Sequence, residues 1–209
     1  MGNGVGPICQ NRFLGHRPAS QVASEPSQCS RYNGGVPFAI RDFRPDDFET
    51  LWQIDQECFS PGISYSRPEL KFYIRRRGAF TLIAEDAAAA AGAASGASDK
   101  AAARIRGETR DTRIAGFIVT QTGRTGHVIT IDVVARARRS GVGSQLLLAA
   151  EDRLRAAGSK HVALETAVDN LVALNFYKRH GYRVIETVPR YYSTGVDALR
   201  MKKDLASVP

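Results

Sequence analysis

A short turn that contains glycine, placed between a predicted strand and a predicted helix, carries the clearest chemical signal in the sequence. Residues 138–151 read RRSGVGSQLLLAAE, and the apolar, β-branched segment GHVITIDVVA precedes them. A helix N-terminus has N–H groups without intrahelical partners and a partial positive charge, so it attracts anions. Gly141 and Gly143 remove side chains that would keep a phosphate from those groups, and Arg138 and Arg139 add positive charge. The turn is a candidate phosphate-binding loop.

The glycine spacing excludes two other phosphate loops. The pattern G-x-x-x-x-G-K-[ST] is absent, and no third glycine stands at the spacing of a dinucleotide-binding turn. Taken alone, the pattern fits a tight strand-to-helix turn without any ligand equally well. The local sequence leaves both interpretations open.

Two residues downstream of the turn could transfer protons. Glu165 lies in the apolar strand VALETAV, where a carboxylate is costly unless it meets water or a polar partner. Tyr177 lies in the predicted helix NLVALNFYKR, two turns after Asn170 and on the same face. Structural alternatives exist for all three: Glu165 faces solvent or pairs with an arginine, Tyr177 is a core tyrosine, and Asn170 is a helix cap.

The elements that must position these residues follow from hydrophobic periodicity. The pattern predicts the order β-α-α-β-β-β-α-β-α-β-β, an α/β domain whose sheet contains strands of both directions. Residues 1–36 are rich in Gly, Pro, Ser, Gln and Asn and are expected to be a disordered tail before a domain at 37–209. The alanine-rich segment at about 86–113 is expected to be an insertion between two paired strands.

Composition favours one soluble domain. The chain has 209 residues, of which 43% are apolar and 24% charged, and it has no apolar stretch long enough to span a membrane and no secretory signal pattern. The net charge of +8 favours anionic partners such as phosphates, acidic peptides or a ribosomal surface. Direct nucleic-acid binding is not expected, nor is membrane binding, and a monomer or weak dimer is expected.

Cysteine and histidine usage indicates neither disulfides nor a metal site. Cys9, Cys29 and Cys58 are odd in number and fit no metal-ligand spacing, which favours free thiols and a cytoplasmic location. Three histidines are expected to be structural or surface residues, because none has a matching Ser, Cys or second His at a useful spacing. These are His127, His161 and His180.

The turn and its surroundings together resemble a known family. Residues 138–143 have the form R-x-x-G-x-G, which resembles the pyrophosphate-binding signature of the GNAT acyl-CoA N-acetyltransferases. The segment VITIDVVARARRSGVGSQLL resembles that family's fourth strand, phosphate loop and helix, and DNLVALNFYKRHGYRVIET resembles its N-x-x-A-x-x-x-Y-x-x-x-G-[FY] element. The resemblance covers about residues 38–204. It implies the GNAT fold, a mixed and mostly antiparallel sheet flanked by helices, with a splayed strand pair that binds the cofactor.

The resemblance implies acetyl-CoA as the acetyl donor and no metal. It assigns backbone contacts with the pantetheine arm to the fourth strand, and contacts with the pyrophosphate to the turn and the start of the next helix. The implied cofactor-binding residues are Ile131, Asp132, Val133, Arg138, Arg139, Ser140, Gly141, Val142, Gly143, Ser144, Asn170 and Tyr177. It also assigns catalysis to Glu165, as a general base acting directly or through water, and to Tyr177, as a general acid for the leaving thiolate.

A narrower resemblance concerns the acceptor. The segments LETAVDN and PRYYSTGVDALRMKK resemble the ribosomal-protein-alanine and protein N-terminal acetyltransferase branch, although Thr166 and Ala167 stand where that branch has Val-Arg. This implies a protein N-terminus as acceptor, with a ribosomal protein as one such acceptor, and Tyr65, Tyr191 and Tyr192 as substrate-binding residues. Two other functions stay open: acetylation of a small-molecule amine, and a non-catalytic CoA-binding or ribosome-associated module.

Overall fold

The computed structural model describes residues 38–59, 63–86 and 113–205, and within these residues seven strands form one sheet. The strands are β1 Phe38–Asp42, β2 Ala79–Asp86, β3 Ile114–Gln121, β4 Thr125–Val133, β5 His161–Ala167, β6 Arg183–Val188 and β7 Ala198–Asp204. The helices are α1 Phe48–Cys58, α2 Arg67–Arg75, α3 Val142–Ala156 and α4 Leu171–Arg179. Element types and order agree with the prediction. The expected tail at 1–36 and the interior of the expected insertion lie outside the described residues.

The sheet consists of two antiparallel parts that meet at one parallel pair. The strand order is β1-β2-β3-β4-β5-β7-β6, with antiparallel neighbours throughout except for β4 and β5. Helix α3 packs on β1 to β4 from one side, whereas α1 and α2 pack on β2 to β4 from the other. The predicted α/β fold with a mixed, mostly antiparallel sheet flanked by helices is confirmed.

Gly126 identifies which side of β4 faces α3. A Cβ atom at this position would lie 2.7 Å from two methyl carbons of Leu154, a fully buried residue of α3. The next side chain along the strand, His127, therefore points to the opposite side, where α1 and α2 lie, because side chains alternate along a strand. This assignment decides which face of the sheet carries the polar residues of the candidate site.

Apolar burial follows the predicted patterns. The buried stripe of α3 includes Leu146, Leu147 and Leu154, which are fully buried, as expected for an amphipathic helix on a sheet. Burial of each such side chain contributes about 1.5–3 kcal/mol relative to exposure. Helix α2 begins with a capping box between Ser66 and Glu69. No helix in the described part of the chain combines the length and apolarity needed to cross a membrane.

Candidate active site

A gap opens between β4 and β5 in the middle of the sheet. These parallel strands pair only at Thr125 with His161, Gly126 with Val162, and His127 with Ala163. Both strands continue beyond that point, β4 as far as Val133 and β5 as far as Ala167, but they no longer pair with each other. The splayed strand pair implied by the family resemblance is therefore present. A gap of this kind allows an extended, amide-containing ligand to add to a strand edge.

The end of β4 borders this gap, and its predicted cofactor-binding residues differ in what they already contact. Ile131 and Asp132 are buried, and the Thr130 hydroxyl lies 3.2 Å from one carboxylate oxygen of Asp132. The carbonyl oxygen of Val133 accepts a hydrogen bond from Nε of Arg138 at 3.1 Å. A cofactor contact through the Val133 carbonyl would have to share that oxygen with Arg138.

The predicted phosphate loop has the backbone geometry of an anion site. Arg139 and Gly141 both adopt left-handed conformations, with φ of 64° and 91°, and α3 begins directly after them. The amide of Gln145 bonds to the carbonyl of Gly141, so the N–H groups of the three preceding residues, 142–144, have no acceptor within the helix. These N–H groups fit a pyrophosphate, and Arg139 is exposed beside them.

Side chains of the loop mostly hold the turn itself. The guanidinium of Arg138 contacts the end of β4 and lies 3.7 Å from the sulfur of Cys58 in α1, away from the start of α3. Ser140 donates its hydroxyl to the carbonyl of Ala137 at 2.6 Å. In this conformation Arg138 and Ser140 hold the turn, which leaves the backbone N–H groups of residues 142–144 as the groups that would meet a phosphate, and phosphate binding stays a prediction.

His180, which follows α4, connects the end of that helix to the start of α3. Nδ1 of His180 lies 2.8 Å from the carbonyl oxygen of Phe176, and Nε2 lies 3.0 Å from the hydroxyl of Ser144.

Asn170 caps α4, because its side-chain oxygen accepts from the amide of Ala173 at 3.1 Å. The cap alternative for Asn170 is thus observed, which leaves its NH2 group as the part that would reach a cofactor.

Glu165 is buried and held by two basic side chains from the neighbouring strands. One carboxylate oxygen accepts from Nε of Arg200 in β7 at 2.8 Å, and the other lies 3.0 Å from Nε2 of His127 in β4. Arg200 also contacts Glu186 in β6. The result is a row of four ionisable groups across four strands, on the face of the sheet opposite α3.

These neighbours decide the charge of Glu165. Burial raises the pKa of the Glu165 carboxyl, but the close contact with His127 and the hydrogen bond and positive charge of Arg200 outweigh it, so the pKa lies below its ordinary value. The bond to Glu165 likewise raises the pKa of Arg200. Glu165 is therefore a carboxylate at neutral pH. The pairing with an arginine that the sequence left open is observed; the role as general base stays a prediction.

Tyr177 packs on the other face of the sheet from Glu165. It is fully buried, and its ring packs edge-on against Tyr182, whose hydroxyl donates to Glu151 of α3 at 3.0 Å. Tyr177 therefore lies on the α3 side, whereas the side chain of Glu165 lies on the α1 side. The predicted acid and the predicted base therefore lie on opposite faces of the sheet, and the role of Tyr177 as general acid stays a prediction.

The three predicted substrate-binding tyrosines differ in exposure. Tyr65 is 4% exposed, its backbone N–H donates to Asp55 at 2.7 Å, and its carbonyl accepts from the side chains of Trp52 and Gln56. Tyr192 is also 4% exposed, whereas Tyr191 is half-buried and packs edge-on against it. Of the three, only Tyr191 is partly exposed, whereas the side chains of Tyr65 and Tyr192 are buried, and the substrate-binding role of all three stays a prediction.

The contact between His127 and Glu165 is the feature of the site that the sequence does not indicate. Along the chain no Ser, Cys or second His stands at a useful spacing from His127, which favours a structural or surface role. The structure brings it to Glu165, which is 38 positions away, through the short parallel register of β4 and β5. Only a prediction of how β4 pairs with β5 could have indicated this contact from the sequence.

Among the described residues no group of three His, Cys, Asp or Glu side chains is placed to hold a metal ion.

Comparisons with known proteins agree with this geometry. The family model described as Acetyltransferase (GNAT) family matches residues 48–182, well over half of the chain. An uncharacterized N-acetyltransferase from Methanocaldococcus jannaschii is 36% identical over 95 residues, which are 44% of this chain and 61% of that protein. An N-alpha-acetyltransferase from Sulfurisphaera tokodaii is 35% identical over 83 residues, which are 39% of this chain and 50% of that protein. The matches thus span only about half to three fifths of these relatives.

A solved structure shows the same fold over most of the described chain. The crystal structure of Ard1 from Thermoplasma volcanium superposes with a TM-score of 0.65 at 26% sequence identity, and the match covers 82% of this chain and 100% of that one. The gap, the phosphate loop and the buried carboxylate thus lie in a fold shared with that protein.

Proposed function

The chain belongs to the GNAT family of acetyltransferases, and we propose that it transfers the acetyl group of acetyl-CoA to the α-amino group at the N-terminus of a protein. Family membership confirms the predicted acetyltransferase class. The observation that carries the proposal is the gap between β4 and β5, with the phosphate loop at its end and the Glu165 carboxylate beside it. The similarity to relatives named N-alpha-acetyltransferase supports the choice of acceptor.

The residues around the gap fit acetyl-CoA, which supplies an activated acetyl thioester. The N–H groups at the start of α3 would bind the pyrophosphate, and the edge of β4 that faces the gap would pair with the amides of the pantetheine arm. The NH2 group of Asn170 would add a side-chain hydrogen bond. This arrangement would orient the thioester inside the gap, between the two faces of the sheet.

Glu165 and Tyr177 would move the protons. A free α-amino group has a pKa near 8, so part of it is neutral at physiological pH and the rest must lose a proton before it attacks. The Glu165 carboxylate would attract the ammonium form and take the proton, directly or through a water molecule. Tyr177 would donate its phenolic proton to the departing thiolate and would be restored by solvent.

We also propose a ribosomal protein as the acceptor and the cytoplasm as the location. The support is the resemblance of the Glu165 strand and the paired-tyrosine loop to enzymes of that type, together with a net charge of +8, which favours acidic surfaces. The free, buried thiol of Cys58 is in keeping with a reducing compartment.

The test measures thiol release from acetyl-CoA with peptides that differ in their first residue, with ribosomal proteins, and with small amines such as polyamines and amino acids. We expect turnover with peptides and a mass increase on the α-amino nitrogen. A peptide of the same sequence with a blocked N-terminus is the matched control and should be inert. Glu165→Gln should lower kcat by about 100-fold or more.

Other outcomes would contradict the proposal. Turnover with small amines alone would keep the family but make the proposed acceptor wrong. Binding of acetyl-CoA without acetyl transfer to any acceptor would favour a non-catalytic module. Turnover with peptides but not with any ribosomal protein would remove only the narrower acceptor.

A further inference from the structure

His127 lies close to a buried carboxylate at the gap, that of Glu165. Its Nε2 atom is 3.0 Å from a carboxylate oxygen of Glu165, and its side chain is 21% exposed, compared with 2% for Glu165. The other carboxylate oxygen is bound by Arg200. Each carboxylate oxygen of Glu165 thus has one basic neighbour. His127 comes from β4 and Arg200 from β7, the two strands that flank β5.

We propose that His127 is a positioning residue for acetyl transfer: its imidazole fixes the orientation of the Glu165 carboxylate and keeps it charged, so that the carboxylate can attract and deprotonate the substrate amine. This inference rests on the proposed function for its catalytic consequence. The physical link between the two side chains stands on the geometry alone.

The position of His127 suits this role because it is the last residue of β4 that pairs with β5. Beyond His127 and Ala163 the strands separate, so the imidazole is the last side chain of β4 held at a fixed distance from β5 by backbone pairing. Without this contact, the Glu165 side chain could adopt other rotamers on the side that faces the gap. Catalytic groups must be held close to their productive geometry, so this contact has a direct consequence for rate.

The charge balance around Glu165 also depends on His127. Among the described residues, the ionisable groups that face this carboxylate are the imidazole of His127 from β4 and the guanidinium of Arg200 from β7, and Arg200 is shared with Glu186 from β6. Arg200 contacts two carboxylates. It therefore stabilises the charged form of Glu165 less than an arginine that contacts Glu165 only. Loss of the imidazole would raise the pKa of Glu165, since burial favours its neutral form.

The kinetic experiment compares His127→Phe, which keeps an aromatic ring without nitrogens, with His127→Gln, which keeps a polar donor. We expect His127→Phe to lower kcat about 10-fold, a part of the roughly 100- to 10,000-fold effect of a positioned base, with KM for acetyl-CoA unchanged. His127→Gln should recover part of the loss. In a Glu165→Gln background, His127→Phe should cause no further loss, because the residue acts through Glu165.

His161→Phe is the matched control. His161 lies at the start of β5 and contacts Asp204 at 2.6 Å, so it forms a similar imidazole–carboxylate pair that does not border the gap. Its replacement should leave kcat unchanged. The proposal would be overturned if His127→Phe lowered kcat equally in the wild-type and Glu165→Gln backgrounds. It would also be overturned if His161→Phe lowered kcat as well, because either result would mean a structural role.

A second measurement needs no activity. The side-chain carboxyl carbon of Glu165, followed by NMR against pH, should titrate at higher pH in His127→Phe than in the wild type and at an unchanged pH in His161→Phe. An unchanged midpoint in His127→Phe would overturn the proposal even in an active enzyme. If no acceptor is acetylated, the proposed function fails, while this titration still decides whether His127 controls Glu165.

Discussion

At the scale of single residues, Glu165 shows how a buried acid can stay charged. Its burial alone would favour the neutral form, but Arg200 donates to one oxygen and His127 lies 3.0 Å from the other. The carboxylate is therefore charged at neutral pH. In the proposed reaction it would attract a cationic amine, and a proton that it took from the substrate would pass readily to water.

Tyr177 allows a test of the predicted general acid. Replacement by Phe keeps the ring that packs against Phe176 and Tyr182 but removes the hydroxyl. We expect kcat to fall about 100-fold, because the leaving thiolate loses its proton donor, while the melting temperature changes little. The measurement is steady-state acetyl transfer beside thermal unfolding.

The effect of Tyr177→Phe should depend on the leaving group. A donor thioester whose thiol is more acidic than that of CoA needs less proton donation and should lose less rate. An equal loss with both donors would contradict the acid role. Tyr182→Phe is unsuitable as a control, because it would leave the buried Glu151 without one of its partners.

At the scale of elements, the start of α3 depends on backbone conformations that few residues adopt. Gly141 has φ of 91°, and a Cβ there would meet only the end of the Gln145 side chain at 3.9 Å. Space does not require glycine at this position, but the left-handed conformation does. The same helix ends before Gly158, which has φ of 84° and no atom within 4 Å of a built Cβ.

These two glycines form a matched pair for testing the phosphate loop. Gly141→Ala and Gly158→Ala should each destabilise the fold by about 1 kcal/mol, because both force alanine into a left-handed conformation. Only Gly141→Ala should raise KM for acetyl-CoA, since only this substitution disturbs N–H groups that would bind the pyrophosphate. Kinetics and denaturant unfolding of both variants check the prediction, and an equal change in KM would contradict it.

At the scale of the whole molecule, the gap that would bind the cofactor divides the sheet into two parts. Three residue pairs join β4 to β5, and a buried cluster adds a second connection. In this cluster, Glu151 of α3 accepts from Tyr182 and from Lys203 of β7, with the Lys203 nitrogen 2.5 Å from its carboxylate. Helix α3 packs on the first part of the sheet, so the cluster links that part to β7.

Lys203→Met tests this connection. The substitution would leave a carboxylate that is 2% exposed without its cation, and we expect a loss of about 3 kcal/mol in the free energy of unfolding. Lys202→Met is the control, because Lys202 alternates to the other face of β7 and should change stability by less than about 0.5 kcal/mol. A similar effect of both substitutions in denaturant unfolding would contradict a linking role for the cluster.

Much of the fold could be predicted because its signals are local. Short continuous apolar runs define β2 and β3, and the turn around Gly141 follows from glycine and the helix formers after it. The phosphate loop belongs to this class, since all of its parts are consecutive. The loop that contains Tyr191 and Tyr192 can be identified from the sequence, but the exposure of its side chains cannot. Tyr192 is buried, and burial depends on elements that are distant in sequence.

The sequence by itself determined the order of elements, the family and the residues of the phosphate loop, because each depends on neighbours along the chain. Only the tertiary structure decided what surrounds Glu165, because His127 and Arg200 reach it through the pairing of β5 with β4 and β7. It also decided that Tyr177 and Glu165 lie on opposite faces of the sheet. The charge of a buried group depends on its contacts in space, and strand register, which is a long-range property, fixes those contacts.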